Sequence, residues 1–302
     1  MPRELVVLGC ASQAPTRYRN HNGYFLRWDD EGILFDPGEG TQRQMVFAGV
    51  SASSITRICI THFHGDHCLG LPGVLARLAN DRVRHPVDIY YPAEGEPYLD
   101  RLRHAAVTDA EPDVRLHPVG GDGVAEEGPP FRIIGRALDH RTATVGWRVE
   151  EPDAVRLDRE RLTELGIEGP AVGRLQREGH LTINGSRVTV EDVSRVKAGT
   201  KVAFIMDTRI CDAARELAEG VDLLVCESTF LETEAELADR YAHMTAAQAA
   251  QLARDSGARR LVLTHYSSRY RDPAVFAEEA TPIFPDAVAV NDLDVIAVPR
   301  AR

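Results

Sequence analysis

Six apolar runs in this chain stop at a histidine or a carboxylate, and that recurrence constrains the fold more than any other feature. Ile33-Leu34-Phe35 stops at Asp36, and Ile55 to Ile60 leads to His62. Phe131 to Leu138 ends in Asp139-His140, Val202 to Met206 in Asp207, Leu223 to Cys226 in Glu227, and Leu261 to Thr264 in His265. The runs are short and rich in β-branched residues, as buried strands are. Together their ends supply three or four ligands for each of two metal ions, with a carboxylate left over to bridge.

The densest of these sites is Thr61-His62-Phe63-His64-Gly65-Asp66-His67. In the preceding run Ile58 and Ile60 share one strand face, and Cys59 and Thr61 the other. His62 and His64 point the same way while the backbone stays extended, so both reach one ion. Asp66 and His67 lie past Gly65, where the chain turns, and face a second position. Neutral imidazole with carboxylate is a zinc ligand set, and two ions about 3.5–4 Å apart are the usual arrangement for hydrolysing phosphate esters. Asp36 lies where a carboxylate orients a metal-bound histidine. A histidine-rich surface turn would account for one His-x-His, but not for a whole string that follows a strand.

The rest of the chain is α/β in rhythm. Helices are expected over Thr41–Ala48, Leu71–Leu78, Tyr98–Val107, Cys211–Glu219, Glu232–Tyr241 and Ala246–Ser256. Thr245 is a natural N-cap for the last of these, and that helix N-terminus a natural perch for a phosphate. Val145 to Val149 pairs with Phe131 to Leu138 as a hairpin. The loop from Gly9 to Asn20 offers Arg17, Tyr18, Arg19 and Asn20 to grip a phosphate and stack on a base. From about Glu151 to Lys197 the texture turns polar, rich in Glu and Arg, with little apolar surface to bury. That stretch reads as an insertion from the core.

Composition sets limits. The 302 residues, 43% hydrophobic and 27% charged, suit a soluble, enzyme-sized body. There is no signal-peptide pattern at Met1-Pro2-Arg3-Glu4-Leu5 and no apolar stretch of membrane-spanning length, so a cytoplasmic protein without a membrane partner is expected. The five cysteines are odd in number and form no Cys-x-x-Cys pair. Reduced, mostly buried thiols follow, with Cys68 beside the histidines the one to watch. The net charge of -11 argues against an extended nucleic-acid surface, and no DNA partner is expected. A local RNA contact is still open, because Lys197 and Lys201 are the only lysines and arginine is the better phosphate fork.

The order Asp36, His62-x-His64-x-Asp66-His67, His140, Asp207, His265 resembles the metallo-β-lactamase superfamily. Pro15 to Asn20, Phe35 to Gln44, Gly169-Pro170 and Thr264 to Tyr270 look like its ribonuclease Z branch, and the likeness spans nearly the whole chain. The resemblance implies one α/β domain over residues 1–302, a four-layer αββα sandwich, with residues 151–197 inserted as a flexible tRNA-binding arm, or exosite. It implies two Zn2+ ions per subunit, with Mn2+ or another divalent ion as the alternative. His62, His64 and His140 would hold the first, Asp66, His67 and His265 the second, and Asp207 would bridge.

The implied activity is endonucleolytic removal of the 3′ trailer from precursor tRNA after the discriminator nucleotide, leaving a tRNA 3′-hydroxyl and a trailer 5′-phosphate. Asp66 would accept the proton of the attacking water, and His243, assisted by Glu227, would protonate the departing oxygen. RNA contacts would come from Arg17, Arg19 and Asn20, from Gly169, Pro170 and Arg174 in the arm, and from Thr245, Ser267 and Arg269. A homodimer is implied, each arm serving the partner subunit. Two other readings are a small-molecule phosphodiesterase or hydrolase of the same fold, and an RNA-binding protein with structural metals. The first would not need the polar arm, and the second would not need the spare Glu227 and His243.

Overall fold

The computed structural model describes residues 3–107 and 110–301. Its first sheet takes β1 (Glu4–Gly9), β2 (Gly23–Trp28), β3 (Glu31–Phe35), β4 (Arg57–Cys59), β5 (Val87–Pro92) and β6 (Val114–Val119). The second opens with β7 (Gly123–Glu126), β8 (Arg132–Ala137) and β9 (Val145–Glu150). An insertion then carries β10 (Ala154–Leu157), β11 (His180–Ile183), β12 (Ser186–Thr189) and β13 (Ser194–Lys197). The second sheet resumes with β14 (Lys201–Ile205), β15 (Leu223–Glu227), β16 (Leu261–Thr264) and β17 (Ala287–Ala289), and β18 (Val295–Ala297) returns to pair with β1. The strand orders are β18-β1-β2-β3-β4-β5-β6 and β17-β16-β15-β14-β9-β8-β7.

The helices are α1 (Thr41–Ala48), α2 (Gly65–Cys68), α3 (Leu71–Asn80), α4 (Glu96–Arg103), α5 (Arg159–Glu164), α6 (Pro170–Glu178), α7 (Asp212–Ala218), α8 (Ala235–Tyr241), α9 (Ala246–Asp255) and α10 (Ala274–Ala280). Period-two alternation sorts the first sheet's side chains into two cores. Leu5 and Val7 join Phe35, Trp147 and Phe204 between the sheets, while Val6 and Leu8 pack with Met45 of α1, Leu71 and Val74 of α3, and Leu99 of α4. Ile58 and Ile60 fall in the second core and Cys59 in the first, the expected division of faces. Helices α7, α9 and α10 cover the second sheet. Sheets buried on both faces explain why the runs read as continuous apolar stretches.

The topology aligns the ends that matter. β3 and β4 are parallel neighbours, as are β14, β15 and β16. β8 and β9 form the expected antiparallel hairpin, and β9 is antiparallel to β14, so β8 runs with β14. All six apolar runs therefore finish at the C-terminal ends of co-directional strands within their sheets.

Several boundaries differ from expectation. β4 keeps only Arg57–Cys59, because the Thr61 N–H turns to the Asp36 carboxylate at 2.7 Å. The helix expected over Tyr98–Val107 ends at Arg103, leaving Val107 fully exposed. β6, β7, β17 and β18 have no counterpart in the reading of the sequence; they are edge strands, largely half-exposed and without a continuous apolar run. The cysteines are all free, with only Cys211 not fully buried. Cys68 donates to the His64 carbonyl at 3.2 Å, and burial pushes its thiol up to about 12, so it is neither a thiolate nor a reactive group at neutral pH.

The insertion corrects the expectation that it buries little. Among the described residues β10 pairs only with β13 and β11 only with β12, and Leu162, Ile167, Leu175, Leu181, Val188 and Val193 form a core of their own. Asp158 caps α5 by accepting from the N–H groups of Glu160 and Arg161. With so few core side chains, Leu175→Ala should remove about 2–5 kcal/mol, enough to open the unit. Hydrogen exchange is expected to show lost protection across residues 154–197 while β14 to β16 stay protected; loss in both places would make the insertion part of the main fold. Among the described residues no helix is long and apolar enough to cross a membrane.

Candidate metal centre

The strand ends converge on two groups of ligand atoms. His62, His64, His140 and Asp207 form one, and Asp66, His67 and His265 the other, while Asp207, His243 and His265 make a further set that overlaps both, all atoms of a set lying within 4.8 Å of each other. His62 Nε2 is 2.9 Å from His64 Nδ1, as the extended backbone before α2 predicts. Asp207 stands between the groups. Its Oδ2 is 3.6 Å from His62 Nε2 and 3.8 Å from His140 Nε2, and its Oδ1 is 3.3 Å from His67 Nε2 and 3.1 Å from His265 Nε2. Asp66 Oδ2 is 3.3 Å from His67 Nε2 and 3.5 Å from His265 Nε2.

These residues fit divalent metal ions. Among the described residues, His140 Nε2, His265 Nε2 and Asp207 Oδ1 are buried and have no aligned hydrogen-bond partner, a condition that native interiors rarely leave uncompensated. Imidazole nitrogens with carboxylate oxygens are the donor set such ions take.

A surrounding layer of hydrogen bonds aims these side chains. The Asp36 carboxylate accepts from His67 Nδ1 at 2.8 Å and from the N–H and hydroxyl of Thr61, each at 2.7 Å. Thr61 Oγ1 is in turn 3.1 Å from His62 Nδ1, and the Ala242 carbonyl accepts from His140 Nδ1 at 3.0 Å. With Nδ1 so engaged, each ring turns Nε2 inward. Asp36, Asp207 and His265 hold φ of 44°, 45° and 63°, left-handed values that non-glycine residues rarely adopt. Such strain persists where surrounding contacts over-determine it, as here.

Burial pushes His62 well below its ordinary range and lowers His64 and His140, so these rings are neutral and ready to ligate. For His67 burial acts in the same sense but is outweighed by Asp207, Asp66 and Asp36, which raise it well above the usual value in the metal-free protein. Burial would raise Asp66 and Asp207, yet the neighbouring imidazoles hold both carboxylates well below their ordinary value. His243 lies beside the centre. Burial opposes its charge, but Glu227, Oε1 3.0 Å from His243 Nδ1, and Asp207 push it up to about 9, and His243 in turn lowers Glu227.

Three contributors carried no legible signal in the sequence. Thr229 Oγ1 donates to Glu227 Oε2 at 2.6 Å and lies 2.8 Å from His265 Nδ1, linking ligand to carboxylate. Thr61 plays the corresponding part for His62. Asn22, fully buried, sets Nδ2 3.1 Å from His67 Nε2 while its Oδ1 accepts from the Tyr24 hydroxyl. Their partners lie far away in the chain, and a hydroxyl two residues past a strand end is otherwise unremarkable.

A cavity of about 510 Å3 opens over the centre, lined by His64, Asp66, Asp207 and His243 together with Ser267 and Arg269. Of the residues expected at RNA, Arg17 is exposed, Asn20 is half-buried with its amide on the His21 and Glu39 carbonyls, and Gly169, Pro170 and Arg174 are exposed on the insertion. Two expectations are corrected. Arg19 is 4% exposed and its guanidinium donates to the carbonyls of Ser267, Tyr270 and Arg271, so it braces loops rather than meeting phosphate. Thr245 is fully buried; it completes a capping box on α9 with Gln248 and donates to Glu232 at 2.7 Å. Glu279 accepts from the Ala247 N–H, so carboxylates already occupy that helix N-terminus.

Comparison with known proteins agrees with this geometry. Residues 16–157 match the model of the metallo-beta-lactamase superfamily, and residues 176–266 that of a beta-lactamase superfamily domain. The chain is 55% identical to ribonuclease Z of Nocardia farcinica, covering 99% of both chains. It is 52% identical to ribonuclease Z of Thermobifida fusca, covering 99% of this chain and 96% of that one. The crystal structure of human tRNase Z, short form, shares the fold, with a TM-score of 0.72, 24% identity, and 98% and 99% of the two chains covered. Sequence and architecture together place this chain in the ribonuclease Z family of the metallo-β-lactamase superfamily.

Proposed function

We propose that this protein is an endoribonuclease that removes the 3′ trailer from precursor tRNA after the discriminator nucleotide, using two Zn2+ ions. The observation that carries the reading is the Asp207 carboxylate, with one oxygen toward each of two ligand groups. His62, His64 and His140 would hold one ion, Asp66, His67 and His265 the other, with Asp207 shared. Ions bound there would supply Lewis acidity, bringing water ionisation toward neutral pH and polarising a phosphate.

The remaining steps fall to side chains. Asp66, an anion on the cavity wall, takes the proton of the attacking water. His243 is held through Nδ1 by Glu227, which leaves Nε2–H to protonate the departing 3′-oxygen. That transfer leaves the 3′-hydroxyl on the tRNA and the 5′-phosphate on the trailer. Residues 151–197 act as the arm that recognises folded RNA by shape, with Gly169, Pro170 and Arg174 on its exposed surface. The exposed Arg17, with Asn20, Ser267 and Arg269, meets the RNA nearer the cut. The working unit is a cytoplasmic homodimer in which each arm serves the partner's site.

The test compares the whole protein with one lacking residues 151–197, on a 3′-extended precursor tRNA and on a generic phosphodiester. The whole protein is expected to cut the precursor after the discriminator. The shortened one is expected to lose that reaction and keep cleavage of the small ester. Equal activity on the precursor would remove the arm from substrate choice, and loss of both reactions would assign the segment to folding.

A further inference from the structure

Two arginines line the catalytic cavity, and they are not alike. Arg269 is tied to Glu234 at 2.5 Å. Just outside, Arg209 is tied to Asp139 and Asp239. Arg141, the residue after His140, makes no ion pair among the described residues. Its guanidinium lies 5.3 Å from the ring centroid of Tyr241, which lines the same cavity and is 40% exposed. In a chain of net charge -11, carboxylates are plentiful, so an unpaired arginine beside four site residues stands out. An exposed guanidinium on an aromatic face also gains only modestly from that contact. Among the described residues the guanidinium N–H groups of Arg141 have no hydrogen-bond or ion-pair partner.

We propose that Arg141 and Tyr241 form a nucleotide clamp for the RNA strand at the cut: the Arg141 fork takes a non-bridging phosphate oxygen of a phosphodiester adjacent to the scissile one, and the Tyr241 ring carries a base. The assignment rests on the ribonuclease reading above. A planar guanidinium matches a phosphate with two parallel N–H donors, which a lysine does not. An aromatic face accepts any base, which suits an enzyme whose substrates share a shape rather than a sequence. The backbone supports the placement: His140 Nδ1 is fixed on the Ala242 carbonyl at 3.0 Å, so the residues that follow His140 and precede Ala242 are held side by side.

The experiment is a cycle between protein and substrate. Precursor tRNAs are prepared with a neutral methylphosphonate at each phosphate flanking the cleavage site, and kcat/KM is measured for the wild-type protein, Arg141→Ala, Arg141→Lys and Tyr241→Ala. Arg141→Ala is expected to lose about tenfold on native RNA, Arg141→Lys less, and Tyr241→Ala about five- to tenfold. At one methylphosphonate position the wild-type protein is expected to lose about tenfold and Arg141→Ala nothing further. Bound metal per chain and the thermal midpoint are followed throughout. Losses that simply add at every position, or a loss of metal in Arg141→Ala, would overturn the clamp while wild-type cleavage at the discriminator leaves the ribonuclease reading standing. Absence of that wild-type cleavage would take down both.

Discussion

Asp207→Asn is expected to bring bound metal below two ions per chain and to lower turnover on the order of 10³-fold or more. Asparagine is the informative replacement, because the backbone at this position holds φ 45° and asparagine tolerates that region as aspartate does. The change therefore tests the carboxylate and not the turn. An amide offers one ligating oxygen, whereas Asp207 aims Oδ1 at His67 and His265 and Oδ2 at His62 and His140. Asp36→Gly is the control on geometry, since glycine accepts the φ of 44° at that position and the change tests the carboxylate and not the turn. It removes the acceptor of His67 Nδ1 and of Thr61 without touching the centre itself, and so is expected to cost about 10–100-fold in metal affinity. Metal analysis after dialysis, alongside single-turnover rates, separates the two. Equal metal retention in Asp207→Asn and the wild-type protein would mean that the carboxylate does not serve both groups.

The second large effect is expected at His243. His243→Asn should lower kcat by about 10²–10⁴-fold with bound metal unchanged, because it removes a proton donor and not a ligand. Glu227→Gln should act through the same ring. The amide removes the anion that holds His243 Nδ1 at 3.0 Å, together with the acceptor for Thr229 at 2.6 Å, so kcat falls while the metal stays. The pair is expected to be far from additive: the double variant should be little worse than His243→Asn alone. Loss of metal from either variant would instead place His243 among the ligands, an arrangement its closeness to Asp207 and His265 permits.

Much of this centre was legible in the sequence because its ligands sit where apolar runs stop. Strand direction does the rest: parallel neighbours such as β14, β15 and β16 bring Asp207, Glu227 and His265 to one edge without further information. The less legible features depend on pairing across the chain. Nothing local distinguishes Arg17, which faces solvent, from Arg19, which is turned inward to carbonyls near Arg271. Thr245 reads correctly as a helix cap but misleads as a phosphate perch, since Glu232 and Glu279 arrive there from other helices and turns. The insertion read as having little apolar surface to bury because its six core residues are dispersed among charges over two helices, one ribbon and the turns that join them. Edge strands such as β17 and β18 are short, and only their partners make them strands.

The proposed enzyme cuts precursor tRNA at one defined bond with two ions held by a divided ligand set around Asp207. The most direct test strips the protein with a chelator, adds Zn2+ back stepwise, and maps the product ends at nucleotide resolution against metal bound per chain. No cleavage is expected in the stripped protein, with recovery that saturates at two ions per chain and a single new 3′-hydroxyl after the discriminator. Cleavage by the stripped protein, saturation at one ion, or ends scattered along the trailer would contradict this proposal.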